Sequence, residues 1–163
     1  MAESIKKNML TRAGLERYEK ELEELVSVKR KEVAEKIKIA RELGDLSENA
    51  EYDAAKEEQG HIEARIAELT QMLKHAEVVS DDEISLDKVN VGCTVKVLDI
   101  AYDEVVGYKI VGSAEANSLE NRISNECPVG AALMGRKVND LIDVLAPVGI
   151  EQYKILDIQR TEI

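Results

Sequence analysis

Gly44-Asp45-Leu46-Ser47-Glu48-Asn49-Ala50-Glu51-Tyr52 is the stretch whose reading decides the fold. Both flanks have helical periodicity. Before it, Leu15, Tyr18, Leu22 and Leu25 are spaced 3-4-3, and Val26, Val33, Ile37 and Ala40 continue after a shift of register that resembles a stutter. After it, Tyr52, Ala55, Gln59, Ile62, Ile66, Leu69, Leu73 and Ala76 run 3-4-3-4-3-4-3, a heptad seam with Gly60 lying off it. A short turn between two such segments predicts an antiparallel helical hairpin. Arms of about 30 residues at 1.5 Å each give a rod of roughly 45 Å, with the turn at its far end. No further long amphipathic segment is present to complete a bundle. Residues 1–10 read as a short leader, Thr11 as an N-cap with Leu10 and Leu15 as a hydrophobic staple, and Gly44 as the glycine that ends the first arm.

The pattern changes near Val78. Ser80-Asp81-Asp82-Glu83 reads as a connection, and from Ile84 the period is mostly 2. Val91–Leu98, Val105–Val111, Ile123–Ser124, Leu141–Leu145 and Gln152–Ile158 are strand candidates, and Pro128 opens a short helix closed by Gly135. The expectation is an α+β chain: a coiled-coil hairpin over 1–79, then a compact antiparallel β domain with one short helix over 80–163.

The net charge of −11 argues against a general DNA or RNA binder, because neutralising phosphates needs Lys and Arg; a basic protein surface or a metal suits it better. With no Trp or Phe and five Tyr, stacking on single-stranded bases is not its main way of binding. Cys93 and Cys127 are too few for a disulfide framework or a zinc site, so free thiols are expected. No run approaches a membrane span and the N-terminus has no apolar targeting segment, so the chain reads as soluble and cytoplasmic. His61 and His75 sit 14 residues apart on an outward heptad position, too far apart to share a metal. Cys127 has no local histidine to activate it.

The turn itself admits two readings. Asp45-x-x-Glu48 looks like a capping box, with Ser47 as a second possible N-cap, and acids suit the first turn of a helix. Capping does not require three carboxylates, Asp45, Glu48 and Glu51, gathered with no Lys or Arg between Arg41 and Lys56. Carboxylate oxygens are ligands for hard cations such as Mg²⁺, though two of them cannot enclose one; they could complete an ion held by a partner that the rod enters. The basic group Lys29, Arg30, Lys31, Lys36, Lys38 and Arg41 reads as a solvated face with i,i+4 partners or as a phosphate-contacting stripe.

The run from Ala40 to Tyr52, Ala-Arg-Glu-Leu-Gly-Asp-Leu-Ser-Glu-Asn-Ala-Glu-Tyr, followed by Ala54-Ala55-Lys56, resembles the signature of the bacterial Gre family of transcript cleavage factors, GreA type. A second run, Cys127-Pro128-Val129-Gly130-Ala131-Ala132-Leu133-Met134-Gly135-Arg136-Lys137, resembles that family's Ser-Pro-Ile/Val segment, and the likeness extends over nearly the whole chain. The resemblance implies a coiled coil followed by a domain related to FK506-binding-protein (FKBP-like) folds. It implies docking of the C-terminal domain, residues 80–163, at the mouth of the secondary channel of RNA polymerase, on the largest subunit, by a monomer whose coiled coil then reaches inward to the nascent RNA 3′ end. The factor would not be an enzyme itself and would hold no cofactor of its own. Carried over residue by residue, Asp45 and Glu48 would share a Mg²⁺ with the polymerase and position the attacking water. Arg41 and Lys56 would contact RNA or polymerase, Asn49 and Tyr52 would shape the tip, and Lys29, Arg30 and Lys31 would form a basic patch. Ser47 departs from the Lys found in many relatives. An anti-cleavage inhibitor of the same family is the alternative, although such relatives carry a more acidic tip; a coiled-coil adaptor without a channel role is a third reading. The scarcity of aromatics beside Tyr102, Tyr108 and Tyr153 argues against prolyl isomerase activity.

Overall fold

The computed structural model describes residues 7–44 and 49–161. By contacts the chain forms two units: Glu16–His75, which is helical, and Met1–Leu15 together with Ala76–Ile163, which is built on sheets. This differs from the expected division at residue 79, because the chain on both sides of the helices is tied together by a strand pair.

In the helical unit, α1 (Arg12–Glu24) runs through a π-helical turn (Leu25–Lys29) into α2 (Arg30–Glu42), and α3 (Ala50–Lys74) returns. The pairing of the arms is antiparallel: Glu21 meets Arg65, Arg30 meets Glu63 and Lys36 meets Glu58. On α3 the seam residues Ala55, Ile62 and Leu69 are buried at intervals of seven. Val33 and Ile37 of α2 join Ala55 and Ile62 in one cluster, with Leu25, Tyr52 and Ile66 packed against it.

The register shift has a physical form that the sequence reading did not specify. From Leu25 to Val33 the seam steps by eight residues where a heptad steps by seven. A π-helical turn accommodates one extra residue in a turn, and it falls at Leu25–Lys29. Val26, read as part of the seam, is exposed at 40%. No stutter of the coiled-coil kind is needed.

In the sheet unit, β1 (Asn8–Thr11) pairs in parallel with β2 (Ala76–Val79), so the expected leader contains a strand. The larger sheet has the order β5-β4-β3-β7-β6, with β3 (Cys93–Asp99), β4 (Glu104–Val111), β5 (Arg122–Ser124), β6 (Leu141–Ala146) and β7 (Gly149–Arg160). Its pairs are antiparallel except β4–β5, which is parallel and modifies the all-antiparallel expectation. A bulge opposite Lys96 and Val97 shifts the register of β7. It lets Tyr153, Ile155 and Ile158 all face the core although their spacing changes from two to three. The short helix α4 (Pro128–Leu133) drives Leu133 into this core beside Val95, Val97, Ile110 and Ile155. Gly130 is required there: a Cβ would sit 1.9 Å from the Ser124 carbonyl oxygen.

Glu115 joins β1 and the first turn of α1 to the sheet. It is 4% exposed and accepts hydrogen bonds from the Thr11 N–H (2.7 Å) and the Thr11 hydroxyl (2.6 Å). The same hydroxyl accepts from the Gly14 N–H at 3.1 Å, as expected of an N-cap. Gly14 has no room for a side chain, because a Cβ would lie 2.1 Å from Glu115 Oε1.

Two stability changes of opposite sign follow. Gly60 lies inside α3 with open space where a Cβ would go. Gly60→Ala should therefore raise the unfolding free energy by about 0.5–1 kcal/mol in urea titration. Glu115→Ala leaves the Thr11 N–H without its acceptor, and the same titration should show a loss of about 1–3 kcal/mol.

Candidate functional site at the hairpin turn

The sequence ends α2 at Glu42 with Leu43 as C-cap, whose N–H donates to the Ile39 carbonyl at 3.2 Å. Gly44 follows with φ +132°, a conformation that favours glycine and stops the helix. The chain is described again from Asn49. Asp45, Leu46, Ser47 and Glu48, and with them both predicted metal-binding carboxylates, lie outside the described residues.

The N-cap of α3 is Asn49, neither Asp45 nor Ser47, so the expected capping box does not start this helix. Asn49 Oδ1 accepts from the Tyr52 N–H at 3.1 Å, and Asn49 Nδ2 donates to the Ala40 carbonyl at 2.6 Å. A carboxamide carries both a donor and an acceptor, so one side chain satisfies an orphan amide at the start of α3 and a carbonyl in the last turn of α2. Aspartate lacks the donor and serine lacks the reach. Residues of both arms thereby meet at Asn49. The sequence signal for this was the placement of an Asn immediately before the periodic run. It was outcompeted by the acidic residues in front of it, which suit an N-cap equally well.

Tyr52 is half-buried against the hairpin cluster, and the Arg41 guanidinium carbon lies 5.9 Å from its ring centroid, within cation–π range. The structure thus brings Arg41, Asn49 and Tyr52 together at the base of the turn. Lys56 stands one turn further along α3, exposed, with Nζ donating to Gln59 Oε1 at 2.9 Å. Beside these residues a shallow groove is floored by Ala40, Ala54 and Ala55, with Ile39 exposed on its rim.

The predicted basic patch is divided. Arg30 forms a two-pronged pair with Glu63 (2.7 and 2.8 Å), which holds the Glu63 carboxyl below the usual range, and Lys29 lies 3.3 Å from Glu32. Lys31 is exposed and makes no ion pair among the described residues. Elsewhere, His61 is exposed and 3.7 Å from Glu57, His75 is the C-cap of α3, Cys93 is buried, and Cys127 Sγ caps α4 by accepting from the Gly130 N–H at 3.2 Å. Among the described residues no group of three or more His, Cys, Asp or Glu is placed to hold a metal, and no helix is long and apolar enough to cross a membrane.

Two family models match the chain in tandem: "Transcription elongation factor, N-terminal" over residues 8–78, and "Transcription elongation factor, GreA/GreB, C-term" over 83–160. The chain belongs to the GreA/GreB family of transcription elongation factors. Its curated relatives include the "Transcription elongation factor GreA" of Lachnoclostridium phytofermentans, 56% identical over 156 residues, covering 96% of this chain and 98% of the relative. The protein of the same name from Thermoanaerobacter pseudethanolicus is 57% identical over 152 residues, covering 93% and 97%. Among solved structures, the chain is similar to GreA factor homolog 1 of Thermus thermophilus (28% identity, TM-score 0.45, covering 94% of this chain and 99% of that one). It is also similar to a GreA/GreB factor from Nitrosomonas europaea (23% identity, TM-score 0.42, covering 94% and 99%). The family's N-terminal match ends within β2, near the boundary expected from sequence, whereas the contacts group β1 and β2 with the sheet unit.

Asn49 supplies the test of this geometry. Asn49→Ala removes both hydrogen bonds and should cost about 1–2 kcal/mol in urea denaturation of the full chain. Asn49→Asp keeps the acceptor for the Tyr52 N–H and should recover part of that loss.

Proposed function

We propose that this chain is a cytoplasmic GreA-type transcription elongation factor that stimulates RNA polymerase to cleave its own backtracked transcript, and that it is not itself an enzyme. The observation that carries the reading is the family match over residues 8–78, within which Asn49 ties the last turn of α2 to the first turn of α3 directly after the Asp45-to-Glu48 run of the sequence. In this reading a monomer enters the secondary channel of the polymerase, on the largest subunit, and brings the loop to the nascent RNA 3′ end.

The donor set fits a shared ion. Two carboxylates are hard-oxygen ligands suited to Mg²⁺ and too few to enclose it, so the polymerase would supply the rest of the coordination. Such an ion would lower the pKa of a bound water and so supply a nucleophile for phosphodiester hydrolysis. Asp45 and Glu48 would supply oxygens to hold it and would orient the water. Arg41 and Lys56 carry positive charge beside the loop and suit contacts to RNA phosphate. Tyr52 holds Arg41 at the base of the turn and Asn49 holds the two arms together. Lys31, exposed on α2, is better placed to meet RNA than the ion-paired Arg30.

Adding the purified chain to stalled, backtracked elongation complexes should release short 3′ RNA fragments and restore extension. Absence of release above polymerase alone, at saturating factor and Mg²⁺, would refute the reading. Slower synthesis without release would instead identify the inhibitory type of the family. Asp45→Ala and Glu48→Ala should each retain binding to the polymerase and lose about 10²-fold or more of the stimulated cleavage rate, the scale expected when a ligand to a catalytic metal is removed.

A further inference from the structure

The larger sheet turns one face to its core. Val95, Val97, Ile110, Ile155 and Ile158 point into that core, so Thr94, Lys96, Leu98, Lys109, Lys154 and Asp157, which alternate with them, point the other way. Ile123 packs on the same core, which puts its neighbour Arg122 on the outer face as well.

Four cations form a diagonal stripe on this outer face, one on each of four adjacent strands. Arg122 of β5 lies directly opposite Lys109 of β4. Lys109 pairs with Thr94 of β3, and Lys96 is two residues further along that strand. Lys154 of β7 lies opposite Leu98, two residues beyond Lys96 again. Direct neighbours on a sheet are about 5 Å apart and diagonal ones about 7–8 Å, so the stripe is roughly 20 Å long. Residues 76–163 hold 8 Lys+Arg against 16 Asp+Glu, and half of those cations are in the stripe.

The stripe is poorly neutralised by its own chain. Among the described residues Lys96, Lys109 and Lys154 make no ion pair. Like charges directly opposite one another destabilise a sheet, so Arg122 beside Lys109 is a cost to the protein alone. Arg122 Nη2 lies 2.7 Å from Glu120 Oε2, while Arg122 Nε is buried without an acceptor. Asp157 stands opposite Lys96, but its Oδ1 accepts from the Ile158 N–H at 3.0 Å and its Oδ2 from Gln159 Nε2 at 2.7 Å.

The neighbours of these cations select the ligand. Thr94, Gln159 and Gly107 share the outer face with them, and the Thr94 hydroxyl is 2.9 Å from that of Thr161. Hydroxyl and carboxamide groups beside Lys and Arg are the usual contacts of a phosphate backbone. A compact phosphorylated metabolite is held in a concave site by converging donors, whereas these cations stand side by side and do not converge. Cations at regular intervals along a line suit a linear polyanion. No aromatic residue is in the stripe, so bases are not stacked and sequence is not read. The net charge of −11 opposes tight binding of a free strand, so the contact is weak alone and gains from a strand already held nearby.

We propose that the Arg122–Lys109–Lys96–Lys154 stripe binds the phosphate backbone of single-stranded RNA without regard to sequence. The inference rests on the proposed function for naming the strand as the transcript. The stripe itself is independent of the acidic tip and of the basic residues of the first arm.

The test titrates the isotope-labelled full chain with a short oligouridylate and follows backbone amides by NMR at several salt concentrations. Shifts should appear at Thr94, Lys96, Lys109 and Arg122. The logarithm of the affinity read there should fall against the logarithm of salt with a slope of about −2.8, for four phosphate contacts on a single strand. Lys96→Gln/Lys109→Gln should weaken binding and reduce the slope to about −1.4, with an unchanged or higher urea midpoint because a like-charge neighbour is removed. Lys29→Gln/Lys31→Gln should leave the stripe's shifts as they are. Equal affinity and slope in wild type and Lys96→Gln/Lys109→Gln would overturn the proposal, as would loss of the stripe's shifts in Lys29→Gln/Lys31→Gln. Equal binding of polyglutamate at the same amides would overturn the assignment to phosphate and identify an acidic protein segment instead. The titration contains no polymerase, so a failure of transcript cleavage sinks the functional reading and leaves this result standing.

Discussion

The apolar seam between α2 and α3 is the constraint on which the turn depends. A two-helix unit has a narrow buried stripe, and a one-residue error in either arm rotates every later side chain by about 100° away from its partner. The first arm contains such an extra residue between Leu25 and Val33. The π-helical turn at Leu25–Lys29 absorbs it, so that Leu25 packs against the same cluster that buries Val33 and Ile37. Ala40, the last buried residue of α2, is also the residue whose carbonyl receives the Asn49 amide. The meeting of the two arms at Asn49 therefore depends on register kept over the whole of the first arm. The cross-hairpin pairs of Glu21 with Arg65, Arg30 with Glu63 and Lys36 with Glu58 reinforce the alignment, though each is solvent-screened and adds little by itself.

The sheet unit relies on close approach at one corner. β1 is four residues long, too short to be held by its ladder alone, and three other features fix it. Leu10 is fully buried, the Met9 carbonyl lies where a Cβ of Gly112 would be, and Glu115 binds both the amide and the hydroxyl of Thr11. A buried carboxylate is tolerated there because its oxygens accept hydrogen bonds and face the positive end of α1. Two glycines, Gly14 and Gly112, make the contact possible by lacking a side chain. The N-cap of α1 is in this way part of the sheet unit's packing.

Periodicity made most of this fold legible in the sequence. The seam on α3, the five strands of the larger sheet and the proline-started helix α4 all follow from local patterns, and each was expected within a few residues of where it lies. What local pattern could not show was pairing at long range. β1 is four residues of mixed polarity whose partner lies 68 positions away, Asn8 opposite Ala76, and the parallel pairing of β4 with β5 likewise needs the intervening loop to be known. The π turn left only a shift of register as its trace. At the candidate site, Arg41, Asn49, Tyr52 and Lys56 were identified by the resemblance of their run to a family signature. The role of Asn49 as a double cap required coordinates, because Asp45, Ser47 and Asn49 are all good N-cap residues and only the helix start chooses between them.

Charge is distributed unevenly along the chain. The basic residues of the first arm do not form one open cationic face: Arg30 and Lys36 reach across the hairpin to Glu63 and Glu58, and Arg41 lies over Tyr52. The excess of acid appears in runs without Lys or Arg, residues 42–55 between the two arms and residues 99–105 and 143–151 in the sheet unit. Carboxylates gathered without cations repel one another, and the repulsion is relieved when a cation or a basic surface arrives. The acidic runs of the two units lie apart, each unit with its own core, so a substitution in one leaves the packing of the other intact.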